Sequence, residues 1–162
     1  MMLVKGKASQ KLRDKIKFFE GWRLVPYLCP AGKWTIGAGH RLYPKDKVPG
    51  LMYILNHWVG VISQTTAELL LTSDIAIGEK YVNELVKVPL NQDQFDALVD
   101  FAMNVGHDAF AHSTLLKYLN EKLYGSAARQ FPLWVHDDHK NVLQGLVLRN
   151  QWRKEMFRMK VS

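Results

Sequence analysis

The sequence predicts an α+β fold, in which a small mixed lobe with a short antiparallel sheet is joined by a long helix to a larger, all-helical lobe. Three observations predict it. Residues 23–43 alternate short apolar pieces with prolines and glycines, residues 63–86 have one long helical pattern, and several shorter helical patterns follow Asn91.

A short amphipathic helix comes first in the chain. Ser9 is a suitable N-cap, and Leu12, Ile16 and Phe19 follow it at helical spacing until Gly21 ends the helix. The apolar pieces that come next, LVPYL and WTIGAG, predict a tightly turned antiparallel sheet. Such a sheet is too small to be stable alone, so we expect it to pack against helices.

Residues 63–86 predict the longest helix. Ser63 or Thr65 can cap it, and Glu68 lies in its first turns, where a carboxylate complements the helix dipole. Pro89 follows its end. The predicted apolar face consists of Leu69, Leu70, Ile75, Ile77, Tyr81 and Leu85.

Four shorter helical segments complete the chain. They are NQDQFDALVDFAMNVG, STLLKYLNEK, GSAARQFPLW and GLVLRNQWRKEMF, and glycines separate them. The 162 residues suit a single domain, with a first lobe over about 1–62, a connecting helix over 63–88 and a helical lobe over 89–162.

Composition excludes several classes of protein. No apolar run reaches the roughly 18 residues that a membrane-spanning helix needs, and the N-terminal segment lacks the apolar core of a secretory signal, so we expect synthesis in the cytoplasm. The one cysteine cannot form an internal disulfide or a cysteine-rich zinc site. The six histidines show no zinc-binding helical pair, so no metal is expected.

The net charge of +7 favours a polyanionic partner, which includes nucleic acid, anionic lipid and an anionic cell wall. The basic residues are scattered, with clusters only over 5–17 and 149–160. A nucleic-acid module more often concentrates them on one recognition element, so nucleic acid is not the partner we expect.

One segment, FFEGWRLVPYLCPAGKWTIGAGH, combines groups that can carry chemistry. Glu20 lies at a helix end, where Phe18, Phe19 and Trp22 would surround its carboxyl with apolar groups and favour the protonated form that a general acid needs. Cys29 and Thr35 then come close together in the sheet. Taken singly, each has an ordinary alternative: a surface glutamate, a small buried thiol and a β-branched strand residue.

Taken together, these residues resemble the active-site pattern of the phage-type lysozymes, the endolysins of glycoside hydrolase family 24. That pattern is a glutamate, eight residues, an aspartate or sometimes a cysteine, five residues and a threonine, which here are Glu20, Cys29 and Thr35. EGWRLVPY and WTIGAGH are similar to the family's flanking motifs, and FDALVDFAMNVG, STLLKYLN and GLVLRN to its later segments. The resemblance covers about residues 10–158.

The resemblance implies a lysozyme-like fold and a muramidase, which hydrolyses the β-1,4 bond between N-acetylmuramic acid and N-acetylglucosamine in bacterial peptidoglycan. Glu20, Cys29 and Thr35 would be catalytic, and Asn104, Gly37 and His40 would bind substrate. No cofactor is implied. A monomeric enzyme would wait in the host cytoplasm until a separate, holin-like pore protein gives it access to the wall, which lies in the periplasm of a Gram-negative host.

Two departures from the family pattern keep an alternative open. Cys29 stands where an aspartate is commoner, and of the family's arginine run after GLV only Arg149 remains. A thiol supplies a negative charge only as thiolate. The alternative is therefore a peptidoglycan-binding protein on the same scaffold, with weak or no catalysis.

Three local expectations complete the prediction. The apolar segment 51–62 would form an extra helical turn on the small lobe, or else a lid or contact surface at the site. His40 and Asp74 would pair, unless both are exposed and never meet. Asn104 would line the substrate-binding cleft, unless it only closes the turn at FAMNVG.

Overall fold

The computed structural model describes residues 6–136 and 140–158, and within them the predicted α+β class is confirmed. The strands are β1 (Arg23–Leu28), β2 (Trp34–Gly37), β3 (His40–Arg41), β4 (Leu51–Ile54) and β5 (His57–Gly60). The helices are α1 (Gln10–Glu20), α2 (Gln64–Leu85), α3 (Gln92–Val105), α4 (His107–Ala111), α5 (Thr114–Asn120), α6 (Tyr124–Ala128) and α7 (Gln144–Arg158), with a 3₁₀ turn at Phe131–Leu133.

The chain forms two compact units. The smaller unit comprises residues 13–74, and the larger one comprises 6–12 and 75–158 of the described residues. Helix α2 contributes to both units. None of the helices in the described ranges is long and apolar enough to cross a membrane.

The smaller unit contains a three-stranded antiparallel sheet in the order β1-β2-β3. Its register pairs Tyr27 with Thr35 and Thr35 with Arg41, so Thr35 lies in the central strand. The core beneath it is apolar and buried, and Ile36, Leu42, Val48, Trp58, Ile62 and Ala67 form it. The predicted sheet over 23–43 is therefore confirmed.

The apolar segment 51–62 is a β-hairpin, so the predicted helical turn is wrong. Strands β4 and β5 pair in register from Leu51 with Gly60 to Ile54 with His57. Leu55 and Asn56 connect them with φ angles of +47° and +66°, the two positive values of a type I′ turn. Alternation decides the outcome, because Tyr53 and Trp58 face the core while Met52 and Ile54 are exposed.

The two helices α1 and α2 begin at predicted caps. The Ser9 hydroxyl accepts a hydrogen bond from the Leu12 amide at 3.2 Å, and the Ser63 hydroxyl accepts one from the Thr66 amide at 3.0 Å. Ser63, and not Thr65, is therefore the cap of α2.

The predicted apolar face of α2 is partly wrong, because Leu69 is 65% exposed and Ile77 is 47% exposed. The buried apolar stripe of α2 instead follows the helical repeat, and consists of Ala67, Leu71, Ile75, Gly78 and Val82. Residues three and four positions apart share one face of a helix, so Leu69 and Ile77 stay exposed because they lie off the buried face, although both are apolar.

Helix α3 lies at the centre of the larger unit. All eight residues from Phe95 to Ala102 are buried, and Asn91 begins the helix in a capping box with Gln94. The Phe101 ring packs edge to face on the ring of Trp134, with centroids 5.2 Å apart. The predicted segment at 125–134 is two short pieces, α6 and the 3₁₀ turn, and α4 was not predicted.

Candidate active site

Glu20 is the last residue of α1, and its carboxylate packs on the backbone of Gly39. A Cβ atom at Gly39 would lie 2.8 Å from Oε2 of Glu20, and the φ angle of Gly39 is +78°. Only glycine satisfies both the close approach and the left-handed backbone. Gly39 was not among the predicted site residues, although the second glycine of WTIGAGH is its signal in the sequence.

The expected apolar enclosure of Glu20 is wrong for Phe18, which is 74% exposed. Phe18 lies two positions after the buried Ile16, which places the two side chains on opposite sides of the helix. The Lys15 ammonium lies 4.6 Å from the Phe18 ring centroid, a cation–π contact at the surface.

Cys29 and Thr35 lie on the same face of the β1–β2 hairpin. The Cys29 amide donates to the Lys33 carbonyl at 2.9 Å, and Tyr27 pairs with Thr35, so residues 29 and 35 are diagonal neighbours across the strands. The Thr35 side chain is buried and its hydroxyl donates to the Lys33 carbonyl at 2.9 Å. The structure thus brings these two predicted site residues together.

The surroundings of Cys29 favour its thiolate form. Burial is the largest single influence and raises the pKa of Cys29, but hydrogen bonds from the backbone at Lys33 and Ala31 and from the Thr35 side chain outweigh it. The pKa of Cys29 therefore lies below its ordinary value. A turn that directs donors at the sulfur stabilises the negative charge of a thiolate relative to the neutral thiol.

Tyr27 lies near both Glu20 and Cys29. Burial, then the negative charge of Glu20 and, more weakly, that of Cys29 raise the pKa of Tyr27, while the nearby Arg23 charge lowers it. The Arg23 guanidinium lies 4.3 Å from the centroid of the Tyr27 ring. Tyr27 was not predicted as a site residue, and nothing in its local sequence distinguishes it from a strand aromatic.

The predicted pair of His40 and Asp74 is confirmed. Nδ1 of His40 lies 3.0 Å and 2.9 Å from the two carboxylate oxygens of Asp74, and both side chains are mostly buried. The hydrogen bond to Asp74 is the main cause that raises the pKa of His40. Gly37 is buried at the end of β2 with a φ of +62°. This left-handed conformation, which glycine adopts without strain, begins the turn from β2 to β3 that contains Gly39.

Asn104, the remaining predicted site residue, belongs to the larger unit and is exposed near the end of α3. Its Oδ1 atom lies 3.4 Å from both Nη1 and Nη2 of Arg153. Because a guanidinium only donates, the amide oxygen of Asn104 faces Arg153 and its NH₂ group is directed away.

Arg153 belongs to a buried ionic cluster. Its Nε donates to Asp100 at 2.6 Å, and Arg149 binds the same carboxylate through Nη2 at 2.6 Å and Nε at 3.0 Å. The two guanidinium groups hold the pKa of Asp100 at about 2 against the opposing effect of burial. Arg149 is therefore a buried structural residue, and neither Asp100 nor Arg153 was predicted from the sequence.

Comparison with known proteins decides the family. The sequence model of the family described as Phage lysozyme matches residues 17–153, which is most of the chain. The chain belongs to the phage lysozyme family. The resemblance drawn from Glu20, Cys29 and Thr35 is thereby confirmed, while the roles of these residues stay a prediction.

Relatives and solved structures of the phage lysozyme family agree with this assignment. The endolysin of Acyrthosiphon pisum secondary endosymbiont phage 1 is 40% identical over 153 residues, 92% of this chain and 96% of that protein. The muramidase domain of SpmX from Asticaccaulis excentricus is 32% identical, with a TM-score of 0.79 over 95% of this chain and 99% of that domain.

The endolysin of Bacillus phage PZA is 42% identical over 151 residues, 92% of this chain, and the chain spans about half of that relative, 54% of its length. The lysozyme-like fold and the predicted enzyme class, a lysozyme-type glycoside hydrolase acting on peptidoglycan, are confirmed. Within the described residues, no group of three or more His, Cys, Asp or Glu side chains could hold a metal ion.

Proposed function

We propose that this phage lysozyme is an endolysin in which Glu20 is the general acid and Cys29 and Thr35 hold the attacking water. The observation that carries the proposal is the arrangement in the smaller unit, where the Glu20 carboxylate packs on Gly39 and the Cys29 thiol lies diagonally across the hairpin from Thr35. Two groups of this kind are what glycosidic hydrolysis requires.

Glu20 would donate its proton to the glycosidic oxygen as the bond to the anomeric carbon breaks. The leaving sugar departs as an alcohol, and the ring that remains carries positive charge in an oxocarbenium-like transition state. The Gly39 backbone limits where the carboxyl can lie, which keeps its proton in one place relative to the sheet.

Thr35 and Cys29 would position the water that adds to the anomeric carbon. The Thr35 hydroxyl has one hydrogen, which goes either to the Lys33 carbonyl or to the Cys29 sulfur, and in both cases its oxygen lone pairs are left to accept a hydrogen bond from water. The thiolate of Cys29 would accept a second one, stabilise the positive charge of the ring and take up the proton that the water loses as it adds, while the ionised Glu20 regains a proton from solvent. No covalent sugar–sulfur bond is part of this proposal.

Asn104, Gly37 and His40 would contribute to substrate binding in different ways. Asn104 would offer its NH₂ group to a carbonyl oxygen of an acetamido group, because Arg153 already occupies its oxygen. Gly37 and His40 would act through the backbone of the turn that carries Gly39, which the contact of His40 with Asp74 ties to α2.

The test is a turbidity assay on permeabilised Gram-negative cells. Glu20→Gln removes the proton but keeps the size of the side chain, so lysis should slow by about 10² or more. Glu121→Gln, at an exposed position after α5, is the matched control and should lyse cells like the wild type. Equal lysis by Glu20→Gln and wild type would contradict the role of Glu20. A wild type that binds cells without clearing them would favour the binding protein instead.

Asn104→Asp tests the amide separately. The new carboxylate would face Arg153 and offset the excess positive charge of the cluster with Asp100, so the melting temperature should stay or rise. Loss of the NH₂ donor should lower activity by roughly tenfold. Unchanged activity with a changed melting temperature would show that Asn104 has only a structural role.

Residues 1–162 would act as a single catalytic domain and as a monomer. The enzyme would remain in the host cytoplasm until a separate, holin-like protein opens the membrane, and would then reach the wall, in the periplasm of a Gram-negative host. The family's action on peptidoglycan supports the last of these steps, action on the wall.

A further inference from the structure

A groove that the catalytic proposal does not use lies in the smaller unit, between strand β4 and the segment 44–49. Its volume is about 620 Å³, within the range of small-molecule binding sites. Leu51, Met52 and Ile54 supply apolar walls, and Tyr53 and Trp58 supply aromatic ones. These residues come from the apolar segment 51–62, which the catalytic proposal leaves unexplained.

Trp58 carries a hydrogen-bond donor that has no acceptor among the described residues. The side chain lines the groove and is 4% exposed, and its Nε1 atom is buried without a partner. An indole N–H can only donate, and a buried donor without an acceptor is destabilising. A ligand that brings an oxygen atom to this position would remove that cost.

The rim of the groove is apolar and almost neutral, although the chain as a whole is strongly basic. Met52 is 62% exposed and Ile54 is 48% exposed, and the groove has one acid, Asp46, and one base, Lys47. Asp46 already accepts a hydrogen bond from the Tyr43 amide at 2.7 Å. This balance does not suit an anionic polymer or lipid headgroup, and it suits a neutral ligand with apolar faces and a carbonyl oxygen.

The hairpin that supplies one wall of the groove contacts the strands that carry the candidate active site. The ring of His57, next to the hairpin turn, packs edge to face on Trp34 of β2 with centroids 5.8 Å apart. Thr35 is the next residue in that strand, and the amide of Ile62, after β5, donates to the carbonyl of Leu24 in β1. A polymer bound near Thr35 therefore has a second surface on the same unit.

We propose that this groove binds an N-acetylated sugar unit of the glycan strand, apart from the units that are cleaved. The acetamido carbonyl would accept the hydrogen bond from Nε1 of Trp58, and the apolar face of the sugar ring would pack on Tyr53 and Leu51, which lie on the same face of the hairpin as Trp58. The Nε1 atom is covered, so part of the groove wall must move before a carbonyl oxygen can reach it. This inference rests on the proposed function for its substrate class.

Nuclear magnetic resonance tests the groove directly, because the indole N–H of Trp58 has its own resonance. The full-length Glu20→Gln protein, labelled with ¹⁵N, is titrated with a β-1,4-linked tetramer of N-acetylglucosamine, and Trp58→Phe identifies the signal by its absence. We expect the Trp58 indole resonance to shift saturably. A stem peptide of alternating L- and D-amino acids is the second probe, and it should leave that resonance in place.

Two variants measure the contribution of the groove to tetramer binding. Trp58→Phe keeps an aromatic ring but removes the N–H, so it should weaken binding at the groove by about fivefold, with the melting temperature measured to account for the smaller core side chain. Leu51→Ala should also weaken binding, because it removes an apolar contact on the Trp58 side of the hairpin. Leu69→Ala is the matched control, because Leu69 is 65% exposed in the same unit but outside the groove, and it should bind like the parent.

The outcomes separate this proposal from the proposed function. If the tetramer shifts the indole resonances of Trp22 and Trp34 but not that of Trp58, the groove proposal is overturned while the catalytic proposal stands. If the Trp58 indole resonance shifts with the stem peptide and not with the tetramer, the groove binds peptide and the groove proposal is overturned. A concentration-dependent dimer that Met52→Ala abolishes would assign the groove to a second copy of the chain and would overturn the proposal as well. Failure of wild type to lyse cells bears on the proposed function only.

Discussion

At the scale of single residues, the carboxylate of Glu20 and the backbone of Gly39 occupy adjoining space. The φ angle of +78° at Gly39 is costly for any residue with a Cβ, and here that atom would also meet Oε2, Cδ and Cγ of Glu20 within 3.0 Å. Gly21 has nearly the same φ, +79°, but a Cβ atom there would have nothing within 4 Å of it. The two glycines therefore separate backbone strain from contact with the carboxylate.

We predict that Gly39→Ala lowers lytic activity by about 10², because the added methyl group displaces the Glu20 carboxyl. Gly21→Ala should share the backbone strain, about 1–2 kcal/mol of stability in each case, but keep most of the activity. Thermal unfolding and cell lysis measured on both variants check this. Similar activity losses in the two would show that strain, and not the carboxylate contact, is responsible.

Cys29 gives a second prediction at this scale, which depends on pH. Because its pKa is lowered, the thiolate fraction grows as pH rises through a value below that of an ordinary thiol, and activity should rise with it. Cys29→Asp should keep or raise activity and remove this pH-dependent rise, since a carboxylate is already ionised. Cys29→Ala should be less active than both.

Lysis rates of the three proteins across a pH series, with far-ultraviolet circular dichroism to confirm folding, provide the measurement. If Cys29→Ala is as active as wild type, Cys29 is only a packed small side chain. Mass spectrometry of the protein after incubation with peptidoglycan should find no sugar attached to Cys29, and a glycosyl thioether would contradict the water-holding role.

At the scale of elements, the His40–Asp74 pair joins strand β3 to helix α2 within the smaller unit. The pKa of His40 is raised on folding by the Asp74 hydrogen bond and charge, so protonated His40 stabilises the folded state. This contribution is complete below the ordinary histidine value of 6.5 and is lost as pH rises through the higher folded value. Both partners are largely shielded from solvent, which limits screening by water.

We predict that Asp74→Asn lowers the melting temperature at pH 5 and has a smaller effect at pH 9, where His40 is neutral in both proteins. Asp108→Asn is the control, because Asp108 also contacts a histidine, His107, but its side chain is 94% exposed. Its removal should change little at either pH. Parallel pH–stability curves for wild type and Asp74→Asn would mean that the pair contributes nothing to folding.

At the scale of the whole molecule, not every basic residue that contributes to the net charge of +7 lies at the surface. Arg149 and Arg153 are buried on Asp100, so they serve the larger unit and not the attraction to a polyanion. Exposed lysines such as Lys45, Lys117 and Lys122 remain available to raise the encounter rate with the anionic wall.

We predict that binding of the Glu20→Gln protein to isolated wall sacculi weakens steadily as salt is raised toward about 1 M, where charges are screened within roughly 3 Å. A variant with glutamine at positions 45, 117 and 122 should bind less at low salt and show a shallower salt dependence. Co-sedimentation measures both. Salt-independent binding would mean that contacts with the glycan, and not charge, determine the attachment.

The sequence by itself determined the features that depend on local spacing and on the specificity of one motif. The caps at Ser9 and Ser63, the sheet over 23–43 and the family, recognised from Glu20, Cys29 and Thr35, all follow from residues close together in the chain. These features can be predicted from the sequence because helix periodicity, capping and turn chemistry depend on residues only a few positions apart.

Tertiary structure alone decided the features that depend on which side chains meet. The segment 51–62 has no favoured hairpin dipeptide, and it pairs as strands because Trp58 completes a core with residues such as Ile36. Asp100 and Arg153 lie 53 positions apart, so no local pattern joins them. Burial removes water as the competing hydrogen-bond partner. Contacts across the fold then determine whether an arginine is buried on a carboxylate, as Arg153 is, or stays exposed and available to bind the anionic cell wall.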